Sequence, residues 1–415
     1  MKLTTTTALG LLLVVTAVPA AAQLTRSAEA NAQKNEAPAK DSKGIKLSSG
    51  AQKAILDLQT AVNANDTANI PAKVAAAQAV AKSTEDKYFI AVLQRKAALA
   101  AHDNVTLAAS VQAIESSGLA DTATVAQLYG DLGVQQFNAK QFAAAAASFQ
   151  RQSTLAPNDL SALQNMADAQ AAAGQKAQAG AVYQRLLQAS TASGQKPSEE
   201  LIRSAVQAAY DSKSPTAIDL GRQWIAAYPS AASWKNGIAI YRNMQTPDVE
   251  GTLDLLRLMQ VTGALATAND YNLYATAAAD QGNYSEAQAA IDAGIAAKLV
   301  DPASPMFRDT IAGLKAKQKP TEADLGVAMK SAANTKALIR VGDSYSALGN
   351  QAKAAEAYRS ALAKPDVDKD VANLHLGMAL AKAGDKAGAT TAFKAVSGSR
   401  QGIAQYWLLY LQTHA

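Results

Sequence analysis

Residues able to carry acid–base or metal chemistry are sparse in this chain. Its 415 residues include three histidines, His102, His375 and His414, and no cysteine. Without cysteine there is no thiol nucleophile, no disulfide and no Cys-ligated zinc. The histidines stand far apart along a repeating sequence and are not expected to converge. Neither a histidine-based zinc site nor a Ser–His–Asp constellation is therefore expected. No Gly-rich phosphate loop with its lysine is present. The adjacent acids Glu199 and Glu200 fall where a helix should begin, and there carboxylates suit the positive end of the helix dipole. No catalytic residue, metal or cofactor is expected. The formal charge of +5, from 39 Lys and Arg against 34 Asp and Glu, is spread thinly and forms no basic stripe. A nucleic-acid partner is therefore not expected either.

The elements that must position any functional side chain are helices. The hydrophobic fraction of 49% leans on alanine, the strongest helix former, and bulky strand formers are thin. A small residue recurs with a small partner twelve positions on, as Gly133/Ala145, Ala167/Ala179, Ala205/Ala217, Ala275/Ala287, Gly342/Ala354 and Gly377/Ala389. Successive pairs start 34, 38, 70, 67 and 35 residues apart. The two doubled intervals predict a further unit in each gap, with weaker stations at Ala239/Gly251 and Ile311/Ala323. A period of this length marks a helical array. Paired helices approach closely only where side chains are small, so each helix gives one small residue to the crossing. Around Gly342, Leu338, Val341 and Tyr345 share one helical stripe. Leu348-Gly349-Asn350 makes the turn, the second helix carries Ala354, Tyr358, Ala361 and Leu362, and Pro365 stops it.

These residues resemble the tetratricopeptide repeat. Tyr129, Leu132-Gly133, Phe142, Ala145, Phe149 and Pro157 carry the pattern in one unit, with Gln136 in the usual tyrosine slot. Gly174, Ala179, Tyr183 and Leu186-Leu187 carry it in the next. Gly282, Tyr284, Ala287 and Ile291 repeat it, as do Leu376-Gly377, Gly384, Ala389 and Phe393; the unit ending in Trp224 and Pro229 departs more, with Gly221 at a bulky slot. The resemblance covers residues 123–398. It implies an all-α, right-handed solenoid of stacked helix–turn–helix repeats, with the first helices lining a concave face. Residues 50–122 read as degenerate units of the same stack and 399–415 as a C-terminal capping helix, about ten helix pairs and a cap in all.

The family commonly holds a peptide or protein segment on the concave face, and the resemblance implies that role here. Candidate partner-binding residues on first helices are Asn165, Arg203, Lys235, Asn236, Arg242, Lys336, Arg340 and His375. Lys336 and Arg340, four apart, occupy slots that carboxylate-clamp members use to grip a peptide C-terminus. The clamp also needs Asn and Lys from preceding units, the neighbouring unit offers Asp309 instead, and the bland alternative is a solvated basic face beside Asp343. The tail around Tyr406, Trp407 and Tyr410 is apolar almost all round, which suits a cap plugging the last groove or a docking surface. Residues 1–22 read as a secretory signal, with Lys2, an apolar run from Gly10 to Val18 and Ala20-Ala21-Ala22 before Gln23. Residues 23–49 read as a disordered linker. No later segment is long and apolar enough to span a membrane. The expected function is a periplasmic or secreted scaffold or adaptor binding a protein or peptide, in envelope assembly or export. The alternative of another class is a secreted all-α enzyme acting on polysaccharide or cell wall. A third, glycan binding through Tyr271, Tyr274 and Tyr284, competes with packing roles for all three.

Overall fold

The structure, a computed structural model, describes residues 46–317, 319–332 and 334–414. The expected leader over 1–22 and most of the expected linker over 23–49 lie outside them. Among the described residues there are 21 α-helices, one short 3-10 turn and no strand. No helix among them is long and apolar enough to cross a membrane. The chain divides into two compact units between Ser214 and Pro215, inside the stretch 123–398.

Unit 1 holds α1 (Gln52–Asn63), α2 (Ile70–Val80), α3 (Thr84–Ala100), α4 (Asn104–Ser117) and α5 (Thr122–Asn138). It continues with α6 (Phe142–Leu155), α7 (Leu160–Ala172), α8 (Lys176–Ala192) and α9 (Glu199–Asp211). Each packs on the next. Side-chain oxygens of Ser83, Asp103, Asp121, Asp159 and Ser198 accept from the first free backbone N–H groups of the helices they precede, the arrangement that fixes a helix start. The end of the stretch expected as a linker is tied down. Leu47 packs into the first apolar cluster, and Ser48 donates from its backbone N–H and its hydroxyl to Asp86 at 2.9 and 2.6 Å.

Unit 2 holds α10 (Thr216–Ala227), α11 (Ala231–Gln245), α12 (Val249–Val261), α13 (Ala268–Asp280), α14 (Tyr284–Ala296) and α15 (Pro305–Lys315). It ends with α16 (Glu322–Ser331), α17 (Thr335–Ala347), α18 (Gln351–Leu362), α19 (Lys369–Lys382), α20 (Lys386–Lys394) and α21 (Gln401–Thr413). Both gaps in the small-residue spacing are filled by helices, but not by equivalent pairs. α15 leans on α13 and α14, α16 leans on α17, and α14 also packs directly on α17. Ala323 is exposed and Ile311 half-exposed, so that station is no helix crossing. Only Phe307 and Leu314 of α15 and Leu325 of α16 are buried.

The strong stations behave as close packing demands. Ala145, Ala167, Ala179, Ala205, Ala217, Ala275, Ala287, Ala354 and Ala389 are all at 0% exposure. A Cβ on Gly342 would run into the Tyr358 ring, on Gly377 into Phe393 and on Gly133 into Phe149. Gly349 closes the following turn at φ +82°, a conformation costly for other residues. Gly342→Leu should therefore cost unit 2 about 1–3 kcal/mol or more, as overpacking does. Gly313, whose surroundings are open, provides the contrast in urea titrations: Gly313→Ala should be neutral or stabilising by up to about 1 kcal/mol. Equal behaviour of the two variants would mean that the crossing is misplaced.

α21 does more than end the stack. It packs on α19 and α20 and also on α10 and α12 at the start of unit 2. Tyr406 donates to the Gly237 carbonyl at 2.9 Å and meets Tyr241 edge-on at 5.5 Å. Trp407 stacks on Phe393 at 5.8 Å. Arg400 grips Asp248 at 2.6 Å and Glu250 at 3.0 Å. Asp248 also caps α12, and Gly251 leaves the space that Arg400 and Ile403 occupy. Unit 2 is thus a closed circuit of helices. Tyr406 and Trp407 are at 0% exposure, so they plug the circuit and present no outward docking surface; Tyr410 is half-buried against Trp407 and His414.

Candidate functional site

Closure puts charge inside unit 2. Arg257 of α12, within Leu253-Asp254-Leu255-Leu256-Arg257-Leu258-Met259, lies in a helix with apolar residues on every side. No face of that helix can turn its charges to water, so partners must come from other helices. Arg257 makes a bidentate pair with Glu286 of α14 at 2.7 and 2.8 Å and bonds Asp254 at 2.9 Å. Its guanidinium also stands 3.5 Å from Asp343 of α17. His375 of α19 sits between two carboxylates, Nε2 at 3.0 Å from Asp254 and Nδ1 at 2.8 Å from Asp343. Tyr274 donates to Glu286 at 2.9 Å and Tyr358 to Asp343 at 2.7 Å. All five charged groups are under a tenth exposed.

Burial alone would strip the His375 proton, but Asp343 and Asp254 outweigh it and push the pKa up to about 10. Burial likewise opposes the Asp343 charge, and His375 and Arg257 overcome it, holding the carboxyl well below its usual range. A protonated imidazole held by two acids is a poor general base at neutral pH. Because the folded pKa of His375 lies above its ordinary 6.5, its contribution is complete below pH 6.5 and fades as pH climbs to about 10. Unit 2 should lose on the order of a few kcal/mol across that window, read by denaturant titration at several pH values. His375→Gln should flatten the dependence, and an unchanged slope would remove His375 as its source.

Unit 1 contains the same device without the cations. Tyr183 donates to Asp168 at 2.5 Å, and these two occupy the repeat positions of Tyr358 and Asp343. Burial pushes Asp168 up to about 6, only partly offset by the Tyr183 hydroxyl. The acid of the same acid–phenol pair is thus shifted in opposite directions in the two units, and Arg257 with His375 makes the difference.

Against the cluster lies a cavity of about 290 Å³ lined by Arg257, Asp343, His375, Ile339, Lys336 and Arg340, among others. Lys336 and Arg340 are exposed, and neither side chain has a hydrogen-bond or ion-pair partner among the described residues. Three of the sequence-predicted residues therefore meet at one place. His375 is there as part of the buried wall, since closure covers the first-helix face on which it and Asp343 were expected to be exposed. The others are dispersed. Lys235 is paired with Asp270 at 2.9 Å, and Asn236 donates to its own helix at Ala232. Burial lowers the half-buried Arg242 guanidinium's pKa. Asn165 and Arg203 are half-buried on α7 and α9 of unit 1.

Sequence reasoning missed Asp254, Arg257 and Glu286. The signal was an acid and a base three apart in a helix with no polar face. A second signal couples positions within a repeat: where the aromatic sixteen residues after the small station is tyrosine, as in Ala167/Tyr183 and Gly342/Tyr358, the residue after the station is aspartate. Where it is phenylalanine, as in Gly133/Phe149 and Gly377/Phe393, that residue is Val134 or Met378. A buried phenol needs an acceptor, and a phenyl ring does not.

The chain is an all-α helical-repeat protein whose helix pairs are tetratricopeptide-like. No family model matches it, and no curated protein does. Solved structures similar to it include a tetratricopeptide repeat protein from Parabacteroides merdae, 14% identical over 71% of this chain and 99% of that one, with a TM-score of 0.31. Another is the Naa15/Naa10 complex bound to HypK, 12% identical over 92% of this chain and 61% of that one, with a TM-score of 0.42. A third is the pentatricopeptide repeat protein PPR10 from maize, 13% identical over 95% and 66%, with a TM-score of 0.28. Superpositions this loose bear on neither ligand nor partner.

Proposed function

We propose that this is an exported scaffold or adaptor that holds a segment of a protein partner at the Lys336–Arg340 mouth of unit 2, in the periplasm and in service of envelope assembly or export. The observation that carries the proposal is the pairing of two exposed, unpartnered cations, one helical turn apart on α17, with a 290 Å³ cavity whose wall includes a buried ion cluster. Lys336 and Arg340 favour a segment bearing a carboxylate; Glu250, Asp366 and Asp368 line the same cavity and confine that preference to the α17 side. The held proton on His375 favours binding over catalysis.

The double variant Lys336→Glu/Arg340→Glu should fold normally and weaken partner capture about tenfold or more, equivalent to about 1.4 kcal/mol or more. Cross-linked recovery from envelope extracts with wild-type and variant bait reads this out. Recovery of the same partners at the same strength would remove this face as the binding site. Reproducible polysaccharide hydrolysis by the purified protein, abolished by changing one defined acid, would overturn the binding reading altogether. A reporter fused after residue 22 tests the export step.

A further inference from the structure

A second cavity, of about 130 Å³, shares Arg257, Asp343 and His375 with the first and is further lined by Glu286, Gln260 and Lys382. Its charges do not balance within the wall. Asp254, Glu286 and Asp343 formally carry three negative charges against two on Arg257 and His375. Lys382, two turns beyond His375 on α19, supplies the missing positive charge, yet it makes no hydrogen bond or ion pair among the described residues. Lys382 is exposed by area, and the protein around the cavity still lowers the pKa of its amine by desolvation. An ammonium group in that setting gains from an anionic neighbour. The same cavity also presents the carboxylates of Glu286 and Asp343, which already pair with Arg257, His375 and the phenols of Tyr274 and Tyr358, yet the wall without Lys382 keeps one formal negative charge that attracts a cation.

We propose that this cavity binds a small zwitterion of the free α-amino acid class. The ligand carboxylate is received by Lys382 and the Gln260 amide, and the ligand ammonium by the Glu286 and Asp343 side. A zwitterion adds both charges at once and leaves the local sum unchanged. A simple anion or cation would leave one charge uncompensated beside a buried cluster, where an unpaired charge is expensive. The volume suits an amino acid and excludes a nucleotide or an oligosaccharide. This inference does not depend on the partner-binding proposal, which rests on Lys336 and Arg340.

The test is calorimetric titration of the full chain with the twenty free amino acids, and with acetate and methylammonium as half-ligands. At least one amino acid should bind saturably below ~10 mM, and both half-ligands should bind at least tenfold more weakly. Lys382→Met should lose the binding by tenfold or more, and Lys336→Glu/Arg340→Glu should retain it. Absence of binding by every amino acid, equal binding by a half-ligand, or undiminished binding by Lys382→Met would each overturn the assignment. Should Lys382→Met fail to fold, Lys382→Gln replaces it, and the half-ligand ranking on the wild-type chain decides independently.

Discussion

Arg257→Ala should cost unit 2 about 3–5 kcal/mol, because it removes one partner of a buried ion cluster and strands the others. Glu286 would lose both arms of its bidentate pair, and among the described residues Asp254 and Asp343 would keep His375 as their one directly ion-paired cation. The chain provides a clean reporter: its three tryptophans, Trp224, Trp234 and Trp407, all belong to unit 2. Denaturation followed by tryptophan fluorescence should shift sharply in the variant. A shift under about 1 kcal/mol would mean that water reaches the cluster and screens it. Apolar replacement of a whole buried ion cluster is often neutral or stabilising. Replacing all five charged residues together should therefore recover much of the loss. If it also abolishes ligand binding while stability returns, the cluster serves recognition and not the fold.

Deletion of residues 400–415 should have the second large effect, unfolding unit 2 at ordinary temperature. Ile403, Tyr406, Trp407 and Leu409 are each under a tenth exposed. Burial of such side chains contributes about 1.5–3 kcal/mol apiece, so the four together are on the order of 6 kcal/mol or more, comparable with a whole domain's stability. Arg400, itself buried, adds ion pairs to the exposed Asp248 and the partly exposed Glu250. Trp224 and Trp234 remain as reporters. A truncated chain that melts unchanged but loses self-association or a partner would instead make the helix an interface.

Much of the local architecture was legible because repeats are written in short-range spacing. Gly342, Ala354 and Gly349 state where two helices cross and where the turn between them closes, and Leu338, Val341 and Tyr345 state which face is buried. The closure of unit 2 was not legible, since it depends on Arg400 meeting Asp248 about 150 residues earlier and no periodicity encodes such a meeting. The same distance hid the site. Arg257 and His375 lie 118 residues apart, and each taken alone reads as a surface charge or a solitary histidine. Lys336 and Arg340 could be found because their signal, two cations one turn apart on a first helix, is local. The short α15–α16 stretch misled in the opposite way: the interval predicted a full unit, but with so few apolar residues the two helices have little to bury and attach only to their neighbours.

The buried site depends on the return of α21 to the start of unit 2, and zero-length carbodiimide coupling tests that most directly. Coupling an amine to a carboxylate requires contact, and Lys235 of α11 with Asp270 of α13, at 2.9 Å, serves as an internal standard. In the Arg400→Lys variant, mass spectrometry should find position 400 joined to Asp248 or Glu250, in yield comparable with the standard. The standard link without any joining of position 400 to 248 or 250 would show an open array, and the buried site would fall with it.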